Sequence, residues 1–411
     1  MKKTTLKTRL WALAATLLLL ISLLAMPVSA ANSAPTENLT TTFDKYLVMD
    51  ANANVPNVTF NFTIAAGDAV NASDDNQKIY AGIGNPVIGV ESEGTVTAGG
   101  AVFTPDDTTT SGTPTNSDDT TQKYATKEMT VDFSGISFTA PGIYRYIITE
   151  TASTASGITN DAVSTRTLDV YVQYKNTAES GQDPVYSNTE LEVSHYVLHE
   201  GLEDPAAQGE EKSDGFTNTY TTYDLTLAKT VTGNQGDRDK FFKFTVTISN
   251  AVPGTVYDVT IPTTDAPTQN DLEQGDSIDN VNLDKLTVGS AQAPETTGSV
   301  TATYYIKHNQ SIVIQGLTSD TAYTITETDY STDGYTTTFA IDSGSAVTSN
   351  ATPSENNTMN SSDHTVTFTN TKNGTVPTGI LLETAPYLIL GAVVVAGLVV
   401  LFATRRRRTR E

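Results

Sequence analysis

Three residue types that could form a covalent bond with one another recur twice in the same order along the chain. Each set holds a lysine, a glutamate and an asparagine: Lys45, Glu150 and Asn218 form the first triad, and Lys229, Glu327 and Asn370 form the second triad. The surrounding sequence repeats too, as Tyr-Ile-Ile-Thr-Glu150 and Tyr-Thr-Ile-Thr-Glu327, and as Phe-Thr-Asn218 and Phe-Thr-Asn370. The repetition indicates one structural unit that is used twice.

Each of these polar residues lies on the apolar side of a predicted strand. Side chains alternate between the two faces of a strand, so Lys45 shares a face with Phe43 and Leu47, and Asn370 shares one with Val366. An amine, a carboxyl and a carboxamide directed into an apolar core oppose folding unless they contact one another. We therefore predict that the three members of each triad meet in the core of their domain.

The three groups of a triad predict a reaction. Burial lowers the pKa of a lysine and raises the pKa of a carboxyl group, which places a neutral, nucleophilic amine beside a protonated acid. Attack of the amine on the carboxamide, with the acid as proton shuttle, releases ammonia and leaves a Lys–Asn isopeptide bond. Glu150 and Glu327 are the predicted catalytic acids, and each bond would join the first strand of a domain to its last.

Both ends of the chain carry targeting segments. Four basic residues precede an apolar run that ends in Val28-Ser-Ala30, which predicts a secretory signal peptide over residues 1–30. Ala385 to Thr404 is an uncharged stretch of 20 residues, long enough to span a bilayer, and five arginines follow on the predicted cytoplasmic side. We expect a secreted protein that is held transiently by a C-terminal transmembrane helix.

The charge and the absence of cysteine exclude several classes of protein. The leader and the tail contain nine of the 24 basic residues and two of the 47 acidic ones, which leaves a net charge of about −30 on residues 31–378. Such a surface repels nucleic acid. A chain without cysteine has no thiol nucleophile or zinc–thiolate site, and its four histidines lack metal-ligand spacing. We predict no metal, no cofactor and no enzymatic activity beyond the self-reaction.

The region between the two ends has the pattern of an all-β protein. Short runs rich in Thr, Val, Tyr and Ile are separated by Gly, Asn and Asp turns. We predict two tandem immunoglobulin-like β-sandwiches, one over residues 38–220 and one over residues 224–372, with a short linker from Thr219 to Tyr223.

A short motif precedes the C-terminal apolar span. Residues 376–411 consist of Val376-Pro377-Thr378-Gly379, a few further residues, the span and the basic tail. This order resembles a Gram-positive cell-wall sorting signal in which VPTG replaces the commoner LPxTG. The resemblance implies that a sortase cleaves between Thr378 and Gly379 and transfers the threonine carbonyl to an amine.

The leader, the two triads and the sorting signal together resemble the streptococcal-type major, or backbone, pilins. That family has two tandem immunoglobulin-like domains, each with an intramolecular isopeptide bond, and residues 298–327 also resemble the collagen-binding-protein B-type repeat. The resemblance implies a structural subunit of a cell-wall-anchored surface pilus. Its implied partners are a sortase, further copies of itself, tip and basal pilins, and peptidoglycan at the pilus base; the sequence identifies no host ligand.

A polymer also needs a lysine that accepts the threonine of another subunit. In the family this lysine lies near the end of the first domain, and Lys212 is the only lysine between Lys175 and Lys229. Lys212 is therefore the first choice for the acceptor lysine, and its position in the sequence predicts that it lies near the domain junction. Lys175 is the second choice, because Val170-Tyr-Val-Gln-Tyr-Lys is similar to the Val-x-Val-Tyr-Pro-Lys motif of other pili. The alternative to a polymer is a single wall-anchored adhesin with the same cross-linked domains.

Overall fold

The computed structural model describes residues 32–72, 78–178, 182–201, 212–289, 297–349, 357–374, 389–390 and 393–396. The predicted signal peptide, the motif Val376-Pro377-Thr378-Gly379 and most of the predicted span 385–404 lie outside these residues. Residues 389–390 and 393–396 are helical. No helix within the described residues is both long and apolar enough to cross a membrane.

The first domain is built from two sheets that face each other. Its described strands are β1 (Thr40–Asp50), β2 (Val58–Phe60), β3 (Phe62–Ala66), β4 (Ile79–Ala81), β5 (Val87–Ser92), β6 (Thr95–Ala98), β7 (Ala101–Phe103), β8 (Thr110–Ser111), β9 (Gln122–Asp132), β10 (Gly142–Glu150), β11 (Ile158–Thr159), β12 (Thr165–Asn176), β13 (Tyr186–Glu200) and β14 (Gly215–Tyr220). One sheet has the order β11-β14-β1-β9-β5-β6, with β8 beside β9. The other has the order β13-β12-β10-β3, with β4 beside β10, and β2 and β7 form a separate pair.

The second domain repeats this plan with fewer strands. They are β15 (Tyr223–Thr232), β16 (Phe242–Ala251), β17 (Val256–Thr260), β18 (Lys285–Thr287), β19 (Gly298–Ile306), β20 (Ser311–Leu317), β21 (Ala322–Glu327), β22 (Thr336–Ile341), β23 (Val347–Ser349), β24 (Asn357–Thr358) and β25 (His364–Thr371). The two sheets have the orders β18-β17-β20-β15-β25-β22-β23 and β19-β16-β21-β24. Short 3-10 helices occupy Gln269–Asp271, Ile278–Asn280 and Ser331–Asp333.

Alternating sequence patterns produce the two cores. Along β15 every second residue is buried, from Leu225 to Val231, and the residues between them are partly exposed. In each domain the buried side chains of the two facing sheets form one apolar cluster. Burial of such side chains contributes about 1.5–3 kcal/mol each to the free energy of folding. The prediction of an all-β protein made of sandwich domains is confirmed.

In both domains the first strand lies beside the last. β1 pairs with β14 in parallel, with Lys45 opposite Phe216, and β15 pairs with β25 in parallel, with Lys229 opposite Phe368. β14 ends at Tyr220 and β15 begins at Tyr223, so only two residues connect the domains. The end of β14 and the start of β15 therefore mark the junction between the domains.

Side chains of the first domain also hydrogen-bond the second domain across this junction. The amide Nδ2 of Asn54 donates to Oδ2 of Asp258 at 2.9 Å and to the carbonyl oxygen of Val256 at 3.1 Å. Ser156 Oγ donates to Oδ2 of Asp320 at 3.0 Å. The end of β1 that leads to Asn54 thus faces the second domain, and the start of β1 lies at the other end of the first domain.

Candidate functional site

The first triad is assembled from three strands of the two facing sheets. Lys45 lies on β1 and Asn218 on its neighbour β14, whereas Glu150 reaches across from β10 in the opposite sheet. Lys45 and Asn218 are fully buried and Glu150 is 4 % exposed. The lysine Nζ lies 2.8 Å from Oε1 of Glu150, and Asn218 Nδ2 donates a hydrogen bond to the same oxygen at 2.9 Å. One carboxylate oxygen therefore contacts both the amine and the amide.

The second triad brings the same three residue types together, with a lysine that contacts both carboxylate oxygens. Lys229 on β15 lies 2.9 Å from Oε1 and 3.1 Å from Oε2 of Glu327 on β21, and Asn370 Nδ2 on β25 donates to Oε1 at 2.6 Å. The strand register is also equivalent, since Asn370 is opposite Val231, two residues after the lysine, as Asn218 is opposite Leu47. Both predicted triads thus come together, each around one glutamate oxygen.

Aromatic rings pack against the lysine amines. The Lys45 Nζ lies 4.5 Å from the ring centroid of Phe60, and the Lys229 Nζ lies 4.3 Å from that of Phe242. An aromatic face attracts a cation weakly but does not hydrate it. The amines therefore lose hydration that their single carboxylate partner only partly replaces.

The pKa values follow from this burial. Loss of hydration lowers the pKa of Lys45 and that of Lys229 to about 8, although the neighbouring carboxylate acts in the opposite direction. The same loss of hydration raises the pKa of Glu150 and Glu327 above the usual range, against the effect of the lysines. The two shifts bring the pKa of the amine and that of the carboxyl group closer together, which favours the neutral form of each pair relative to water, and a neutral lysine is a nucleophile.

Residues outside the triads also contact them, and the sequence pattern does not predict these contacts. The backbone N–H of Asp161 donates to Oδ1 of Asn218 at 2.8 Å. The Asp161 carboxylate in turn accepts a hydrogen bond from the buried Arg166 at 2.9 Å. The sequence does not reveal the Asp161 contact, because any residue type can donate through its backbone N–H. The one sequence feature that points to this region is Arg166, an arginine at the start of a strand in a strongly acidic chain.

Lys212 is exposed but does not lie at the domain junction that its sequence position suggested. It lines a cleft of about 240 Å³ together with Thr41 and Thr42 at the start of β1. The reason is the direction of β14, which starts opposite Asp44 and reaches the junction only at Tyr220. Six residues of strand, at about 3.3 Å each, therefore separate this region from the junction.

The second-choice lysine lies at the same end of the first domain. The Lys175 Nζ lies 3.4 Å from Oε1 of Glu37, which precedes β1, and its side chain is 35 % exposed. In the second domain, β25 runs away from the junction, from His364 opposite Leu225 to Thr371 opposite Thr232. The chain thus leaves the second domain at the end far from the junction, and both lysines lie at the end of the first domain that is far from the junction.

Comparison with known proteins assigns a family to each domain. Residues 41–221 match the family described as the Spy0128-like isopeptide containing domain, and residues 223–372 match a domain of unknown function, DUF7601. A pilin from Streptococcus pyogenes serotype M1 is 29 % identical over 355 residues, which cover 85 % of this chain and 86 % of that protein.

Solved structures of pilins are similar to the chain as well. The major pilin T3.2 from Streptococcus pyogenes serotype GAS13637 has a TM-score of 0.51 at 20 % identity, covering 82 % of this chain and 99 % of its own. Another major pilin from Streptococcus pyogenes has a TM-score of 0.46 at 23 % identity, covering 84 % of this chain and 100 % of its own. The first of these similarities supports the two-domain β fold.

Proposed function

The chain belongs to the Gram-positive backbone pilins, and we propose that it is a pilus subunit whose two domains each form an internal Lys–Asn isopeptide bond. The observation that carries the proposal is the doubled triad, in which one glutamate oxygen contacts the lysine amine and the asparagine amide in a buried core. A salt bridge alone would not require the asparagine at an equivalent register position in both domains.

The reaction proceeds from the neutral form of the Lys–Glu pair. The lysine Nζ attacks Cγ of the asparagine, and the protonated glutamate donates its proton to the departing Nδ2. The carboxylate then accepts a proton from the attacking nitrogen, so the acid is regenerated while ammonia leaves. One Cγ–Nδ2 bond is broken and one Nζ–Cγ bond is formed, without any cofactor. Glu150 and Glu327 are therefore acid–base catalysts of a single event.

These bonds suit a protein that must withstand pulling. Each would connect the first strand of a domain to its last, and these two strands are hydrogen-bonded neighbours. Force that enters through one end of the domain would pass directly along the bond and would not separate β1 from β14 or β15 from β25. The strands between them would bear little load.

The positions of the chain end and of the two candidate lysines support a head-to-tail polymer. A sortase would cleave between Thr378 and Gly379 and transfer the threonine to Lys212, or to Lys175, of another copy. The described chain leaves the second domain at its far end, and both lysines lie at the opposite end of the first domain. Contacts of this heterologous kind grow into an open filament. The subunit would be membrane-held before cleavage and attached to peptidoglycan at the pilus base afterwards.

Mass spectrometry tests the internal bonds. All residues of both cores lie between positions 43 and 368, so residues 31–378 contain the complete fold. Each bond expels one ammonia, so the purified region should weigh about 34 Da less than its sequence, about 17 Da for each bond. Glu150→Ala and Glu327→Ala should each restore about 17 Da. A wild-type mass equal to that of the sequence would overturn the proposal.

A further inference from the structure

The carboxamide oxygens of the two triads have different surroundings. Oδ1 of Asn218 accepts the backbone N–H of Asp161 at 2.8 Å, whereas Oδ1 of Asn370 is buried and has no hydrogen-bond partner among the described residues. The oxygen of a carboxamide accepts hydrogen bonds whereas its NH2 group only donates, so this contact fixes the orientation of the Asn218 amide. Its nitrogen, the leaving group of the proposed reaction, must then face Glu150, which it contacts at 2.9 Å.

The Asp161 side chain holds the loop that presents this N–H group. The loop connects β11 to β12, and the Asp161 carboxylate accepts from the backbone N–H of Val163 at 2.9 Å and from that of Thr217 at 2.8 Å. Thr217 directly precedes Asn218 on β14. One carboxylate therefore ties the donor loop to the strand that carries the acceptor, which fixes the distance between the two groups.

Arg166 holds the Asp161 carboxylate in place. Its Nη2 donates to Asp161 at 2.9 Å, its Nε donates to the carbonyl oxygen of Gly215 at 2.8 Å, and its guanidinium stacks over the ring of Phe216 at 4.4 Å. Arg166 is 4 % exposed and also binds the carbonyl oxygen of Val163 at 2.6 Å. A buried ion pair with all these partners holds a fixed geometry, which preorganises the N–H of Asp161.

We infer that the backbone N–H of Asp161 is an oxyanion donor that accelerates bond formation in the first domain. The inference rests on the proposed isopeptide reaction. When the Lys45 Nζ attacks Cγ, the carbonyl electron pair moves to Oδ1 of Asn218, where the N–H already lies. In the first domain, carbonyl polarisation and proton transfer are thus divided between Asp161 and Glu150. Loss of one oxyanion donor slows acyl-transfer reactions by about 100- to 1,000-fold.

The test replaces this one N–H by an oxygen atom. The α-hydroxy analogue of aspartate, introduced at position 161 by nonsense suppression in cell-free translation, gives an ester that keeps the side chain and its anchors. Samples of residues 31–378 are taken into acidic urea after translation stops, and the mass loss of about 17 Da is followed in time. Asn370→Ala in the same chain makes the mass report only the first bond, and Asn218→Ala makes it report only the second.

We expect the ester at position 161 to lower the rate of formation of the first bond about 100-fold. The rate of formation of the second bond should not change. The matched control is the same ester at the exposed Ala162, which should leave both rates unchanged. If the chain with the ester at position 161 forms the first bond as fast as the chain without esters, the inference is overturned. An equal loss of rate with the ester at position 162 also overturns it, because a change in the loop, and not the loss of the Asp161 N–H, would then be responsible. A chain without esters that never loses ammonia would instead contradict the proposed function itself.

Discussion

The amine of Lys229 lies within hydrogen-bonding distance of both carboxylate oxygens of Glu327, and each residue exposes only 1 % of its surface. A buried ammonium or carboxylate alone is strongly destabilising, whereas the pair can share one proton and become neutral. In the proposed reaction, the Lys229–Glu327 contact that makes these two groups tolerable in the core would also produce the neutral amine that attacks Asn370. Stability and reactivity would then depend on the same two residues.

Two variants that both prevent the second bond should therefore differ in stability. Asn370→Ala leaves the Lys229–Glu327 pair in place, whereas Glu327→Ala leaves the lysine buried without its partner. Removal of one member of a buried pair costs about 3–5 kcal/mol. We expect Glu327→Ala to unfold at lower urea concentration than Asn370→Ala, and addition of Lys229→Met to recover most of the loss. Equal urea midpoints for the two single variants would contradict this expectation.

Loss of either bond should destabilise only the domain that contains it. The bonds would enclose chain segments of 173 residues from Lys45 to Asn218 and 141 residues from Lys229 to Asn370. By analogy with disulfides, loops of this size contribute on the order of 4–5 kcal/mol. Asn218→Ala and Asn370→Ala should each lower the melting temperature and expose their own domain to trypsin. Asn280→Ala, at an exposed position, is the matched control. An unchanged melting temperature in both triad variants would exclude a stabilising role.

The triads could be predicted from the sequence because their signal is carried by side-chain type and by strand alternation. Lys45 follows Phe43 at a spacing of two, and Asn370 follows Phe368 at the same spacing, so burial of both polar groups was apparent. The repeat of the local sequences around Glu150 and Glu327 then connected the two sets. This pattern identifies the residues of each triad without any knowledge of the facing sheet or of the glutamate oxygen that they share.

The Asp161 donor and the position of Lys212 could not be predicted, for two different reasons. Asp161 acts through its backbone N–H and contacts a residue 57 positions away, which residue type does not encode. Lys212 is close to the second domain in sequence, but the parallel pairing of β14 with β1 places it beside Thr41. That displacement depends on strand direction, which a hydrophobic pattern leaves open.

Bond formation should show a pH plateau with a decline on either side. The reactive form carries one proton on the Lys–Glu pair, as a neutral amine beside a protonated acid. Burial lowers the pKa of Lys229 to about 8. Above this pH the pair loses its proton and cannot protonate the leaving nitrogen. Below the raised pKa of Glu327 a second proton converts the amine to ammonium. Chain recovered unfolded from inclusion bodies is refolded at each pH, and its mass is followed in time. A rate that still increases above pH 9 would exclude the acid role.

The last prediction concerns which lysine joins the subunits, with Lys212 as the expected acceptor. It is exposed beside a cleft, whereas the amine of Lys175 lies in an ion pair with Glu37. In cells with the cognate sortase, wall extracts boiled in detergent should show a ladder of covalent polymers for the wild type and for Lys175→Ala. Both Lys212→Ala and Lys212→Arg should abolish it, since arginine keeps the charge but is not an acyl acceptor. Branched peptides that join Thr378 to Lys212 would identify the bond. A ladder lost only in Lys175→Ala would assign the bond to that lysine, and ladders in all variants would contradict the choice of Lys212.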